Sequence, residues 1–374
     1  MTEQAAAYAA TPQIKASAPS GRTVRPILVE AERLLMHSLS SLRPYLESEH
    51  VNEIMINSPN CVFIEQAGKM ERVAATFTES QIESCLHAIM RMNTKEIAPI
   101  MDARLVGLRV AAALPPVAIH GPMVVIRKHA SRRFRLEEYA QSGAFDVVGA
   151  HALQTHGGTQ QEQAAREAAA ARGGQGLVDF LRWAVRSHKN LLLAGGTSSG
   201  KTTLLSSCLL EIPAHERIIS CEDTHEIVLE QPNIIQLEAM PSDDPAKNIT
   251  IRQLIKLCLR SRPDRIIVGE IRGQEAYDFL DAMNTGHSGS LCTLHADSAF
   301  LALRRLESLI RMSATAANLP LRDMRADIAS AIDYVVFQSK LGGQRGPQEV
   351  LALEGVDDNG DYRSRLIFNR VGDV

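Results

Sequence analysis

At 374 residues the chain is too long for one ordinary hydrophobic core, so two domains are the starting expectation. Its 45% hydrophobic and 22% charged residues are those of a globular protein, and a net charge of −3 gives no global attraction for nucleic acid or acidic lipid. Six cysteines (Cys61, Cys85, Cys208, Cys221, Cys258 and Cys292) without a C-x-x-C pair argue against a structural zinc site or a disulfide framework and point to a reducing cytosol.

Residues 1–25 are rich in Ala, Thr and Ser without the apolar stretch of a signal peptide, and read as a loose tail. From 26 to 47, Ile27, Ala31, Leu34, Leu35, Leu39 and Leu42 recur at helical spacing. Alternating stretches at 53–57 and 62–66 are split by the turn signal Ser58-Pro59-Asn60. A helix is predicted over 81–92, with Ile82, Leu86 and Ile89 on one face, followed by strands at 108–113 and 123–127. These make a small α/β domain over residues 26–149. The basic run 127–135, RKHASRRFR, could contact nucleic acid or anionic lipid; with Glu137 and Glu138 beside it, the reading preferred here is a cleft or interface lining.

Composition changes at 150–176, where Ala and Gln dominate between Gly pairs; its middle could form a short polar helix, but with no face to bury the segment is expected to be a flexible linker insert. Residues 177–374 form the second domain. A helix over 177–185 precedes an apolar strand at 190–194, and another helix opens at Lys201. Strands follow at 217–222, 265–271 and 291–295, with helices between them, such as 274–284. Alternating helices and nearly continuous apolar strands mean a mainly parallel sheet covered on both faces. The chain ends in strand-like runs at 334–340, 349–356 and 362–369.

Gly195-Gly196-Thr197-Ser198-Ser199-Gly200-Lys201-Thr202 fits G-x-x-x-x-G-K-[ST], with Thr203 next, between an apolar strand and a helix. Such a loop wraps a polyphosphate with backbone N–H groups, its glycines permitting close approach and positive φ. Lys201 is then expected to reach the β- and γ-phosphates of ATP, the Thr202 hydroxyl to hold Mg²⁺, and the helix N-terminus to face the anion. Downstream, RIIVGEI is an apolar strand ending at Glu270, which reads as a metal-side acid or as a helix-capping Glu; the P-loop favours the first. Gly269 stands where an Asp is usual. In CEDTHEI, Glu222, Asp223 and Glu226 either hold metal and activate water or form a solvated acidic turn. His287 and His295 flank another apolar strand and read as γ-phosphate sensors or as structural histidines.

Taken together, GGTSSGKTT, EDTHE, RPDRIIVGEIRG and TGHSGSLCTLHAD, in this order, resemble the secretion (traffic) ATPase superfamily. The likeness is dense from about 190 to 312 and looser from about 30 to 370, and Gly269-Glu270 is the family's own habit. The resemblance implies a RecA-like P-loop NTPase domain behind a small α/β N-terminal domain, with subunits in a hexameric ring and nucleotide between the domains. It places the catalytic glutamate on Glu226, the Walker B acid on Glu270, the histidine box on His287 and His295, and arginine fingers on Arg104, Arg109 and Arg127. The missing four-cysteine zinc insert and the strand-rich C-terminal end look most like the type IV secretion and conjugal-transfer branch. Pilus-retraction and type II secretion motors, a DNA-stimulated RecA-like motor and a non-hydrolysing switch stand as alternatives. The implied partners are inner-membrane components of such a machine at the cytoplasmic face, with no sequence-specific contact to nucleic acid.

Overall fold

The computed structural model describes residues 26–66, 69–93, 98–105, 107–128, 134–146, 159–172, 174–227, 229, 231–242, 244–341 and 344–370. The expected tail at 1–25, residues 129–133 of the basic run, and the first part of the expected linker up to 158 lie outside the described residues.

The N-terminal part opens with α1 (Pro26–Ser38), a short 3-10 turn, and α2 (Arg43–Glu47). Strands β1 (Val51–Ser58), β2 (Cys61–Gln66) and β3 (Lys69–Val73) precede α3 (Glu79–Met92), and β4 (Ile100–Leu105), β5 (Leu108–Ala113) and β6 (Met123–Lys128) follow it. Thr78 starts α3 with a capping box, its side chain accepting from the Gln81 N–H while Gln81 reaches back. The six strands form one antiparallel sheet in the order β3-β2-β1-β6-β5-β4. Period-2 alternation in β1, β2 and β4 sends Ile54, Ile56, Val62, Ile64, Met101 and Ala103 into a core shared with Leu35 of α1 and Leu86 of α3.

Helices α4 (Leu136–Gln141), α5 (Gln160–Arg172) and α6 (Gly174–Arg186) lead to β7 (Leu191–Gly195) and α7 (Lys201–Leu209). The order continues β8 (Ile218–Glu222), β9 (Ile234–Glu238), α8 (Ile251–Cys258), β10 (Arg265–Val268), α9 (Glu275–Asn284), β11 (Leu291–His295), α10 (Ala299–Ile310) and α11 (Leu321–Ala331). A closing meander comprises β12 (Tyr334–Leu341), β13 (Gln344–Val356) and β14 (Tyr362–Asn369). The eight strands form a second sheet, β14-β13-β12-β7-β11-β10-β8-β9, parallel from β12 to β9 and antiparallel across the meander. β7, β8 and β10 are buried at every position, because helices cover both faces and leave no solvent side for alternation. Two apolar clusters, one on each face, record this. Among the described residues, no helix is long and apolar enough to cross a membrane.

The expectation of a flexible linker fails over 160–172. This stretch is α5, which packs against α6 and β14, with Glu162, Arg166 and Ala169 buried. Arg166 donates to the Tyr334 hydroxyl (3.2 Å), Glu354 (3.1 Å) and Glu162 (2.8 Å), and Tyr334 donates to Glu162. The buried face of α5 is polar and satisfied by ion pairs, so hydrophobic periodicity gives no sign of it.

Candidate active site

The loop after β7 is built by steric exclusion. A Cβ on Gly195 would lie 2.2 Å from the Gln338 carbonyl oxygen, so only glycine lets this turn lie against β12. Ser198 (φ 57°) and Gly200 (φ 94°) both take left-handed conformations, and Gly200 opens α7. Gln338 pins the loop from β12 by donating to the Ser199 carbonyl at 2.8 Å. The buried Ser199 hydroxyl has no partner among the described residues. Lys201 is 7% exposed, and its Nζ donates at 2.9 Å to the Gly195 carbonyl and at 2.9 Å to the Gly196 carbonyl. Burial pushes its pKa down to about 8, against the opposing pull of Glu270.

This loop is one wall of a cleft of about 200 Å³ between the two sheets. Thr197, Ser198, Ser199, Gly200, Lys201, Thr202 and Thr203 line it, joined by Glu226, Glu270 and His295. Glu270 sits just past β10, its Oε2 accepting from Arg272 at 2.7 Å and its Oε1 lying 3.1 Å from His295 Nε2. His295 Nδ1 lies 3.4 Å from Lys201 Nζ. One neutral tautomer satisfies both contacts, Nε2–H donating to Glu270 and Nδ1 accepting from the ammonium. Burial, and then the Lys201 charge, hold the His295 pKa below its ordinary value, which favours that neutral form.

The opposite wall comes from the N-terminal sheet. Arg104 on β4, Arg109 on β5 and Arg127 on β6 are cross-strand neighbours in one row, continued by Glu53 on β1. Like charges in register repel unless an anion or a carboxylate lies among them. Arg109 is held by Asp102 through Nε (3.3 Å) and Nη2 (3.2 Å), whereas Arg127 lies 3.8 Å from Glu53. Arg109 and Arg127 line the cleft.

Arg104, Glu222, Asp223 and His287 are not brought into the cleft wall, and Gly195 and Gly196 do not line it either. Arg104 turns away, and its Nη1 donates to Glu238 (3.1 Å) and to the Ala239 carbonyl (3.0 Å), a bond between the two sheets' domains. Glu222 is 2% exposed, with its carboxylate consumed by the backbone N–H groups of Glu226 (2.7 Å) and Ile227 (2.8 Å) and by the His225 ring (3.1 Å). It shapes the acidic loop and does not face a substrate. The same side chain crowds Gly269, where a Cβ would lie 3.1 Å from the Glu222 Cγ methylene. His287 precedes β11 and bonds the Ala282 carbonyl near the end of α9 (3.1 Å). His295 lies at the far end of β11, a strand about 13 Å long.

Other lining residues escaped sequence reasoning. Arg272 pairs with Glu270 and lies 3.6 Å from Asp223; its place in RPDRIIVGEIRG, two residues after the acid, was the available signal. Asn52, Glu53, Glu65 and Arg345 come from strands and loops remote in sequence, and no local pattern marks them, whereas Lys128 and Phe134 lie in the basic run expected to line a cleft or interface.

Comparison with known proteins now bears on this geometry. Residues 168–342 match the family described as "Type II/IV secretion system protein". The VirB11 type IV secretion system protein of Bartonella quintana is 32% identical over 326 residues, covering 84% of this chain and 92% of that protein. VirB11 of Brucella suis is 33% identical over 307 residues, covering 80% and 83% respectively. In fold, the chain is similar to the pilus retraction motor PilT solved with bound ADP, at a TM-score of 0.54 and 17% identity over 86% of this chain and 84% of that one. On the breadth of the likeness to these relatives, the chain belongs to the VirB11 family of type IV secretion system proteins.

Proposed function

We propose that this chain hydrolyses ATP in the cleft between its two sheets and works as a homohexameric ring that powers a type IV secretion or conjugation machine. The observation that carries this reading is the convergence of Lys201, Glu226 and Glu270 with Arg109 and Arg127 from the facing sheet. The family membership supports a position at the cytoplasmic face of the inner membrane, against membrane components of such a machine.

The P-loop N–H groups and Lys201 bind the β- and γ-phosphates, the lysine exchanging two carbonyls of its own loop for phosphate oxygens. Glu226 orients the attacking water and accepts its proton as the water oxygen bonds to the γ-phosphorus. The bond from the γ-phosphorus to its bridging oxygen breaks, and ADP leaves with that electron pair. Arg109 and Arg127 offset the charge that develops on the transferring group. Phosphate release frees the N-terminal sheet to move. The donor set fits Mg²⁺: the Thr202 hydroxyl and the Glu270 carboxylate both line the cleft, and oxygen donors with retained water suit this cation. Thr202 would hold it directly and Glu270 through water, and it would supply charge neutralisation on the phosphates.

The test is steady-state ATPase activity and solution mass, with and without Mg·ATP, for wild type and Glu226→Gln. The substitution is expected to retain ATP binding and lower turnover about a hundredfold or more. Near-normal turnover would remove Glu226 from this role. A monomer stimulated by DNA would favour a DNA motor, and tight binding without turnover in wild type a switch.

A further inference from the structure

Glu226 is held in place by a bonded chain that begins in the other domain. Glu222 and Glu238 are register partners at the ends of the parallel strands β8 and β9. Between these two carboxylates sits His225, its ring Nδ1 3.1 Å from Glu222 Oε1 and its backbone N–H donating to Glu238 Oε1 at 3.4 Å. Glu222 Oε2 in turn fixes the backbone N–H groups of Glu226 and Ile227. The same Glu238 oxygen accepts from Arg104 Nη1, which also donates to the Ala239 carbonyl. Arg104 is 15% exposed on its side chain, and its Nε is buried without a partner among the described residues. Its charge also acts on Asp223, whose pKa burial raises and Arg272 and Arg104 lower.

From this geometry we propose that Arg104, Glu238 and His225 are positioning residues that set the water-orienting carboxylate of Glu226 according to where the N-terminal sheet lies. Arg104 thus acts on the acidic loop, and only Arg109 and Arg127 of its row act on nucleotide. When the sheet is docked, the Arg104 charge neutralises one of two adjacent glutamates and the loop keeps a single conformation. When it swings away, Glu238 and Glu222 face each other without that cation, and the loop loses one of its anchors. The inference rests on the assignment of Glu226 made above.

The experiment compares Arg104→Ala, Glu238→Gln, the charge swap Arg104→Glu with Glu238→Arg, and Glu226→Gln in the full chain. Turnover is measured against ATP concentration, with hydrogen exchange at the amides of 223–227. Each single change at Arg104 or Glu238 is expected to lower kcat about tenfold with KM nearly unchanged, while exchange in the loop rises. The swap is expected to restore both, which a merely structural loss or a direct phosphate contact would not do. Exchange across β7 and β10 reports whether each variant is folded. If Glu226→Gln is inactive but Glu238→Gln turns over normally, or the swap restores nothing, the relay is overturned and the Glu226 assignment stands. If Glu226→Gln turns over normally, both fall.

Discussion

The two walls of the cleft are made differently. On the P-loop side Lys201 and Glu270 are already engaged: Lys201 bonds two carbonyls of its own loop, and Glu270 is shared between His295 and Arg272. On the other side, Arg109 and Arg127 stand in one cross-strand row, 35% and 45% exposed on their side chains, and among the described residues are held by carboxylates at 3.2 Å and 3.8 Å. The first wall is a preorganised cradle and the second a set of charges held loosely beside it. A polyanion is the ligand that relieves the strain in both, releasing Lys201 from its carbonyls and separating two neighbouring guanidiniums. The cradle should therefore govern whether nucleotide binds, and the arginine row how fast it reacts.

The largest effect that would sharpen this division is Lys201→Ala. Its ammonium is buried beside the phosphate loop, so removing it should weaken ATP binding by about a hundredfold or more and abolish measurable turnover. Titration with a fluorescent ATP analogue checks the first claim. Binding within a few-fold of wild type would mean that the backbone N–H groups alone make the cradle.

What was legible in the sequence divides along the same line. The P-loop and the strand-end position of Glu270 were readable because strand, turn and helix place them by local spacing, whereas Glu226 stood out from its acidic cluster only by resemblance, and the type IV secretion branch was read from the missing zinc insert and the strand-rich C-terminal end. Arg104, Arg109 and Arg127 could be named only by resemblance, since their common row depends on how β4, β5 and β6 pair. That pairing is also why Arg104 misled: a shared row does not fix where a long side chain ends, and Arg104 ends on Glu238. Glu222 misled in the opposite way. Acidic residues at a strand end look solvent-facing, but this one turns inward and satisfies three donors of its own loop. His287 was displaced by strand polarity, because only the C-terminal ends of parallel strands meet the P-loop. The packing of α5 was illegible because it buries an ion-pair network in place of an apolar stripe.

A smaller effect is expected from the second wall. Arg109→Ala and Arg127→Ala should each lower kcat about tenfold to a hundredfold, with KM for ATP changed much less. The double substitution should fall short of the product of the two, because the row shares one phosphate charge. Steady-state kinetics of all three variants decides it. A rise in KM at unchanged kcat would make the row a ground-state binding surface and erase the contrast between the walls.

The smallest effect tests the cradle by pH alone. The buried Lys201 has its pKa pushed down to about 8 in the free protein, and a bound triphosphate raises it again by favouring the charged form. Binding therefore requires proton uptake wherever the free lysine is neutral. Below pH 8 the lysine is already charged and affinity should be flat; above it affinity should fall, by about tenfold between pH 7 and pH 9. Calorimetry of nucleotide binding to Glu226→Gln in buffers of different ionisation enthalpy should show that uptake growing through the same window. Affinity that stays level to pH 9, with no proton taken up, would show that the lysine enters the cleft already charged and that its burial does not tune binding.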